Sequence, residues 1–207
     1  MDARKLEAAV TDRTAVIMPV HLGGNACDLD AILEVGRRRK VPVLEDACQA
    51  HLGEWRGRKL GTLGAAGCFS FQASKNLNCG EGGAILSRDG DLMDLCHSIH
   101  NLGRPRGRMP RDLGGYPIVA SKSRMAEYQA AILIGQMRRV VAETTLRAAN
   151  AAHLTARLAA IPGILERIDH DARVKVDHSQ PSRSAVIAAS SASESRRRRA
   201  GSGLSRN

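Results

Sequence analysis

The first part of the chain has the order strand, helix, strand, and this order constrains its fold more than any other feature. Residues 14–20 form an apolar and partly β-branched run, which is typical of a buried strand. Asp28 can cap a helix that continues to Arg39, and residues 41–45 form a second apolar run. The apolar positions of the helix share one face: Leu29, Ile32, Leu33 and Gly36. Because such a unit joins parallel strands by a right-handed crossover, we predict an α/β fold with a mostly parallel sheet flanked by helices.

The middle of the chain continues this alternation. Two further strands and a short helix are predicted there, at residues 67–71, 82–87 and 91–101. Residues 102–121 contain several Pro and Gly and are predicted to form a loop. Ser123 can then cap one long helix that extends from Arg124 to about Ala160.

Composition and charge separate a folding region from a tail. The chain has 207 residues, which allows one domain with an extension, and only 2% aromatics, so its core must rest on Ala, Val, Leu and Ile. Residues 172–207 carry eight basic and two acidic side chains, which accounts for six of the ten net positive charges. This segment is Ser, Ala and Arg without a hydrophobic period, so we predict a disordered tail. With the charge concentrated there, nucleic-acid binding is the weaker alternative.

The cysteine spacing and the length of the apolar runs indicate where in the cell the protein is expected. None of the five cysteines forms a C-x-x-C pair, so the usual metal and disulfide spacings are absent from the sequence. No apolar run reaches the ~20 residues of a membrane helix, and the N-terminal residues lack the apolar core of a signal peptide. We therefore expect free thiols and a cytoplasmic location.

Two short motifs carry the chemistry. Asp46 ends the second predicted strand, and Lys75 follows the strand at residues 67–71. A lysine that forms a Schiff base and a carboxylate that keeps a pyridine nitrogen protonated are what a pyridoxal-phosphate enzyme needs. Glu45 precedes Asp46 and should point to the opposite face of the strand, so we predict a structural role for it.

Other candidate positions have simpler interpretations. Gly61-x-x-Gly64-x-x-Gly67 is not a dinucleotide fingerprint, because it lacks the G-x-G start and leads into a strand rather than a helix. His21 and His51 are candidates for substrate contact near the cofactor end of the sheet, although an ordinary structural role is the simpler interpretation for each.

Five blocks of the sequence, in order, resemble the DegT/StrS-type sugar aminotransferases. They occupy residues 19–32, 45–51, 68–77, 80–84 and 124–132. The resemblance covers roughly residues 10–165. It implies that residues 1–165 form part of the large domain of a fold-type-I, pyridoxal 5'-phosphate-dependent aminotransferase that works as a homodimer.

The resemblance also implies roles for individual residues. Lys75 would hold the cofactor as a Schiff base and move protons at the substrate carbon, and Asp46 would pair with the pyridinium nitrogen. Gln49 would contact the ring, and Ser70 would hydrogen-bond the cofactor phosphate. Lys122 stands where many members have an Asn that reaches the phosphate across the dimer interface, and a lysine can also bind phosphate as a point charge.

The implied reaction is transfer of an amino group from glutamate or glutamine to a keto-sugar or keto-cyclitol, free or nucleotide-linked. Related lyases and dehydratases lack the lysine, so Lys75 favours amine transfer. Members of the family are much longer than the matched region, and their front segment adds phosphate and ring contacts. We therefore expect a truncated member, with a non-catalytic remnant and a basic-tailed nucleic-acid interaction protein as the alternatives.

Overall fold

The computed structural model describes residues 1–109 and 118–161. The helices in these ranges are α1 (Ala3–Ala9), α2 (Leu29–Arg39), α3 (Gly90–His100), α4 (Glu127–Met137) and α5 (Val140–Leu158), with a 3-10 turn at Leu22–Gly24. The strands are β1 (Leu44–Asp46), β2 (Glu54–Trp55), β3 (Arg58–Lys59), β4 (Ala66–Ser70) and β5 (Gly83–Ser87). The predicted tail at residues 172–207 lies outside the described residues. Among the helices of these ranges, none has the length and apolar character needed to cross a membrane.

The main sheet is mixed, with β4 between β1 and β5. β1 and β4 are parallel, and Asp46 lies opposite Cys68. β4 and β5 are antiparallel, with Ser70 opposite Gly83. On the other side of β1, residues 17–20 add a further parallel pairing through isolated bridges. The α/β prediction is confirmed, and the sheet is parallel except for the pair that β5 makes.

The predicted strand at residues 14–20 forms only two bridges, Ile17 to Val43 and Val20 to Asp46. Pro19 has no backbone N–H to give to a ladder, but its carbonyl accepts a hydrogen bond from the Asp46 N–H at 2.9 Å. The segment therefore runs beside β1 as a strand would, with a less regular ladder.

Helix α2 is predicted correctly, including its cap. The Asp28 side chain accepts a hydrogen bond from the Ala31 N–H at 3.1 Å, and Leu29 and Ile32 are fully buried. The helix contributes to two apolar clusters. One contains Leu6, Val10, Ile17, Cys27, Ile32, Val35, Val41 and Val43. The other contains Leu29, Ala47, Ala50, Trp55 and Leu60.

A small hairpin of β2 and β3 has no counterpart among the predicted elements. Arg56 and Gly57 form its turn with φ values of 49° and 75°, the positive values that a two-residue hairpin turn requires. The hairpin delivers Trp55 to the second cluster, where the indole N–H donates to an Asp30 carboxylate oxygen at 3.0 Å.

The Glu45 carboxylate is fully buried and accepts four hydrogen bonds. Oε1 accepts from the Leu63 and Gly64 N–H groups, both at 2.7 Å. Oε2 accepts from the Gly61 N–H at 2.8 Å and from His21 Nε2 at 3.1 Å. Burial alone would raise the pKa of Glu45, but these hydrogen bonds outweigh burial and hold the pKa below its ordinary value. The predicted structural role of Glu45 is confirmed.

His21 is part of the same buried network and is completely inaccessible to solvent. The Cys27 N–H donates to His21 Nδ1 at 3.2 Å, so the proton of the neutral ring lies on Nε2 and is donated to Glu45. The hypothesis that His21 contacts substrate is wrong, because both ring nitrogens are committed inside the protein.

The glycine pattern at residues 61, 64 and 67 brings a loop against the sheet. Gly61 has a φ of 81°, and a Cβ there would overlap the Phe69 ring. A Cβ on Gly67 would overlap the Gly61 carbonyl group. Glycine at these positions lets the backbone approach close enough for its N–H groups to reach the Glu45 carboxylate.

The single helix predicted from Arg124 to about Ala160 is wrong. α4 begins only at Glu127 and ends at Met137, and α5 begins at Val140. The Ser123 N–H donates to the His100 carbonyl at 2.9 Å, so Ser123 pairs with the end of α3 and does not cap a helix. We attribute the break between Met137 and Val140 to tertiary packing, because α5 buries Val140 and Thr144 whereas α4 buries no residue fully.

We expect Glu45→Gln to lower the free energy of unfolding by about 2–4 kcal/mol, because two of four donors would face an amide NH2 and a hydrogen bond to a charged group contributes about 1.5–3 kcal/mol. Urea unfolding at pH 7 measures this. The control Glu34→Gln removes an exposed carboxylate that pairs with Arg37 and should cost under about 1 kcal/mol.

The pH dependence gives a second readout for Glu45. Folding lowers its pKa, so its contribution is fully present above the unfolded value of about 4.3 and is lost as the pH falls below that value. The stability gap between the wild type and Glu45→Gln should narrow below about pH 4. An equal loss for both glutamine variants at pH 7 would contradict the structural role of Glu45.

Gly61→Ala should destabilise the protein more than Gly57→Ala. Both positions have positive φ, at 81° and 75°, so both variants share the left-handed penalty of about 1–2 kcal/mol. A Cβ at Gly57 meets open space, whereas one at Gly61 meets the Phe69 ring. We expect overpacking to add about 1–3 kcal/mol for Gly61→Ala alone, measured by thermal unfolding. Equal losses would show that the loop can move away from β4.

Candidate functional site

Asp46 and Ser70 are the last residues of the adjacent strands β1 and β4. Asp46 lies opposite Cys68 in the parallel register, and Ser70 is two residues further along β4. Side chains alternate along a strand, so Asp46 and Ser70 belong to one face. Ligands of open α/β sheets bind beyond the carboxyl ends of the strands, which is where these two residues lie.

Asp46 is half-buried, and its carboxylate is held by its own loop. Its Oδ1 accepts a hydrogen bond from the Cys48 N–H at 3.1 Å, and the Cys48 thiol also lies close enough to the carboxylate to interact with it. The carboxylate is therefore oriented by that loop, and an ionised carboxylate has further lone pairs that can accept a hydrogen bond from a ligand.

Lys75 lies in a turn that Gln72 holds together. The Gln72 carbonyl accepts from the Lys75 N–H at 2.9 Å, and its side-chain oxygen accepts from the N–H and the hydroxyl of Ser74 at 2.8 and 2.6 Å. The Lys75 side chain is half-buried. In the part of the chain that the structure describes, no carboxylate lies within ion-pair distance of its ammonium group.

The charge of Lys75 reaches the loop that carries Asp46. Burial, followed by the hydrogen bond and charge of Asp46, raises the pKa of Cys48 to about 11, and the positive charge of Lys75 opposes this rise. Lys75 also acts on His51, whose pKa is lowered mainly by burial. Lys75 therefore lies within electrostatic range of the residues that follow Asp46.

Gln49 connects two loops at this edge. Its Oε1 accepts a hydrogen bond from the Gly23 N–H at 2.7 Å, so the side-chain oxygen is committed to the turn at Leu22–Gly24. Its amide NH2 remains as the group that can donate to a ligand.

Ser70 keeps its hydroxyl proton. Its Oγ accepts from the Gln72 N–H at 3.3 Å, and a hydroxyl that accepts in this way can still donate to an anion. The predicted phosphate contact is compatible with this geometry.

Lys122 lies beside the end of helix α3. It is exposed, and its segment pairs with Asn101 at the end of α3. The neighbouring Leu102 N–H donates to the Ser121 carbonyl at 3.2 Å. The exposed side chain of Lys122 is therefore accessible to a ligand or to a second copy of the chain.

Two cysteines beside Asp46 were considered in the sequence only as free thiols. Cys48 follows Asp46 by two residues, and its thiol points at the Cys68 carbonyl at 3.7 Å. Burial and the charge of Asp46 raise the pKa of Cys68 as well. The strand register, which the sequence alone does not specify, brings Cys68 next to Asp46.

The residues present fit a pyridoxal phosphate. An oriented carboxylate on Asp46, a half-buried amine on Lys75 without an ion pair among the described residues, and a free hydroxyl proton on Ser70 lie at one edge of the sheet. These are a pyridinium acceptor, a carbonyl nucleophile and a phosphate donor.

Comparison with known proteins identifies related sequences. The family model of the DegT/DnrJ/EryC1/StrS aminotransferase family matches residues 1–199. The chain is 42% identical to a putative L-glutamine:3-amino-2,3-dideoxy-scyllo-inosose aminotransferase of Streptomyces kanamyceticus, over 84% of this chain and 41% of that protein. It is 46% identical to the GDP-perosamine synthase of Caulobacter vibrioides, over 68% of this chain and 37% of that protein.

Solved structures agree with this relationship. The crystal structure of 3-amino-5-hydroxybenzoic acid synthase matches with a TM-score of 0.77 and 34% identity, over 86% of this chain and 46% of that one. DesI, determined in the presence of its TDP-sugar product, matches with a TM-score of 0.75 and 33% identity, over 86% and 44%. The chain thus spans about two fifths of the length of the curated relatives it matches.

We expect Cys48 to react slowly with iodoacetamide at pH 8, because only the thiolate attacks and its pKa is about 11. Its alkylation rate should rise about tenfold per pH unit between pH 8 and 10. Mass spectrometry of the peptide that contains Cys48 measures the rate, and Cys48→Ser confirms the peptide's assignment. A plateau near pH 8.5–9, as for a free cysteine with a pKa of about 8.5, would contradict the effect of burial and Asp46.

Proposed function

Because the chain belongs to the DegT/DnrJ/EryC1/StrS aminotransferase family, we propose that it carries the cofactor-binding core of a pyridoxal-phosphate-dependent aminotransferase. The amino group would pass from glutamine or glutamate to a keto-cyclitol or a keto-sugar. The observation that carries this proposal is the arrangement of Asp46, Ser70 and Lys75 at one edge of the sheet, each with a group free to engage a ligand.

Asp46 has the electrostatic task. When bound, the cofactor withdraws electrons from the substrate carbon through a protonated pyridine ring. The Asp46 carboxylate would accept the pyridinium N–H, while the Cys48 N–H on Oδ1 keeps the carboxylate oriented. An oriented carboxylate in a half-buried loop costs little reorganisation when it stabilises that charge.

Lys75 has the covalent and proton-transfer tasks. Its amine would hold the cofactor covalently, with loss of water from the cofactor carbonyl, and would then be the base that moves a proton at the substrate carbon. The turn fixed by Gln72 holds the lysine backbone, and no described carboxylate competes for its amine. Ser70 would donate to the phosphate, and Gln49 would donate its amide N–H toward the ring.

The relatives suggest the substrate class. The Streptomyces kanamyceticus relative is named for L-glutamine and an aminated inosose, which is a cyclitol. The Caulobacter relative is named for a GDP-linked amino sugar. We propose glutamine as the amino donor, with a keto-cyclitol as the acceptor and a nucleotide-linked keto-sugar as the alternative.

We also propose that the working form is a homodimer. Lys122 is exposed and lies beside the end of α3. Large apolar side chains are exposed on α4 and α5, among them Tyr128, Ile134, Met137, Val141 and Leu146. Exposed apolar side chains of this kind favour association, so we place the proposed interface on α4 and α5.

Lys75→Ala should abolish covalent capture of pyridoxal phosphate, because the only proposed amine is lost. The protein is incubated with the cofactor and sodium borohydride, and the label is located by mass spectrometry. Lys5→Ala, an exposed lysine on α1, should label as the wild type does. Asp46→Asn should still label at Lys75 but lose most amine transfer in a glutamine-dependent assay.

Equal labelling of Lys75→Ala and wild type would refute the assignment of Lys75. Labelling spread over many lysines of the wild type, without a preference for Lys75, would refute the proposed cofactor site as a whole.

A further inference from the structure

We propose that His51 is a positioning residue that fixes the end of β4 against the loop of Asp46 and so holds the two halves of the cofactor site in register. The proposal rests on the proposed function, since the site it serves is the one described by Asp46, Ser70 and Lys75. It assigns His51 an indirect role, through the backbone of its neighbours, and not contact with the reacting atoms.

The His51 ring bridges the residues on either side of Ser70. It is only 5% exposed, and its centroid lies 5.8 Å from that of Phe69 and 6.1 Å from that of Phe71. Contacts with both neighbours restrain the direction in which the Ser70 side chain leaves the strand. They also restrain the start of the turn that leads to Lys75.

The polar side of the ring faces the same segment. The backbone of Ser70 and the positive charge of Lys75 both lie close enough to the His51 ring to influence its pKa. Burial is the largest influence and lowers the pKa of His51, with Lys75 lowering it further against the opposing effect of Ser70. The ring is therefore neutral at pH 7 and has one donor and one acceptor nitrogen.

His51 moves with Asp46 because the loop between them is anchored. Ala47 and Ala50 are buried, and the Ala50 N–H donates to the Ala47 carbonyl at 2.9 Å. A shift of the imidazole would therefore shift the loop that carries Asp46 and Gln49. Phe69 also packs against the cluster that contains Ala47 and Ala50, so His51 adds the contact with Phe71 to this support.

The unpaired nitrogen argues against packing as the whole explanation. His51 Nε2 is buried and has no hydrogen-bond partner within the described residues. Leaving such a group unpaired is costly, and an apolar ring could fill the same space against Phe69 and Phe71 without that cost. We therefore assign the imidazole a polar role next to the backbone of Ser70 and the charge of Lys75, which an apolar ring could not have.

Stability and cofactor affinity should therefore move in opposite directions. His51→Leu and His51→Phe remove the buried unpaired nitrogen, so we expect an unchanged or higher melting temperature without cofactor. We expect both to weaken the binding of pyridoxal phosphate at least about tenfold, measured by absorbance titration, because Ser70 and Lys75 lose their fixed position. His51→Asn keeps an N–H donor and should bind more tightly than either apolar variant.

The matched control is Thr144→Val on α5. Thr144 is 2% exposed, and its hydroxyl has no partner among the described residues. Its removal should raise the melting temperature in the same way but leave the dissociation constant of pyridoxal phosphate within about twofold of the wild type.

Wild-type affinity in His51→Leu and His51→Phe would overturn the proposal and leave His51 as a packing residue. If neither variant folds, His51→Asn is tested instead. If the affinity of His51→Asn falls only as far as its lower fraction of folded protein explains, the proposal is also overturned. A wild type that binds no pyridoxal phosphate would instead refute the proposed function, so the two failures are distinguishable.

Discussion

The buried carboxylate of Glu45 joins three separate parts of the chain. Its four hydrogen bonds come from the loop of Gly61, Leu63 and Gly64 and from His21. A buried charge is tolerated only when it is fully paired in this way, so β1, the loop before β4 and the segment before α2 must assemble together. Asp46 is the next residue, and strand alternation turns it to the other face. The orientation of Asp46 therefore follows from the burial of Glu45.

The candidate site combines two rigid supports with free functional groups between them. On one side, Gln49 binds the Gly23 backbone and Cys48 binds Asp46. On the other side, Gln72 holds the turn of Lys75. The groups left free are those that a pyridoxal phosphate would engage, and this division between support and function is what preorganisation requires.

Much of this region could be predicted because its signals are local. The cap at Asp28, the apolar face of α2 and the apolar run at residues 41–45 that leads into β1 depend on residues a few positions apart, and the structure has the helix and the strand there. The break between α4 and α5 could not be predicted, because no Pro or Gly lies between Gln136 and Val140. The break depends instead on which side of α5 is covered, and α5 buries Val140 and Thr144.

Sequence alone determined the family, the strand–helix–strand unit and the choice of Asp46 and Lys75 as candidate site residues. Tertiary structure decided the rest. It made His21 a partner of Glu45 and not a substrate contact, and it brought Cys68 beside Asp46. It also paired the segment of Lys122 with Asn101 at the end of α3. The physical reason is that these outcomes depend on register and burial between distant segments, which residue spacing does not encode.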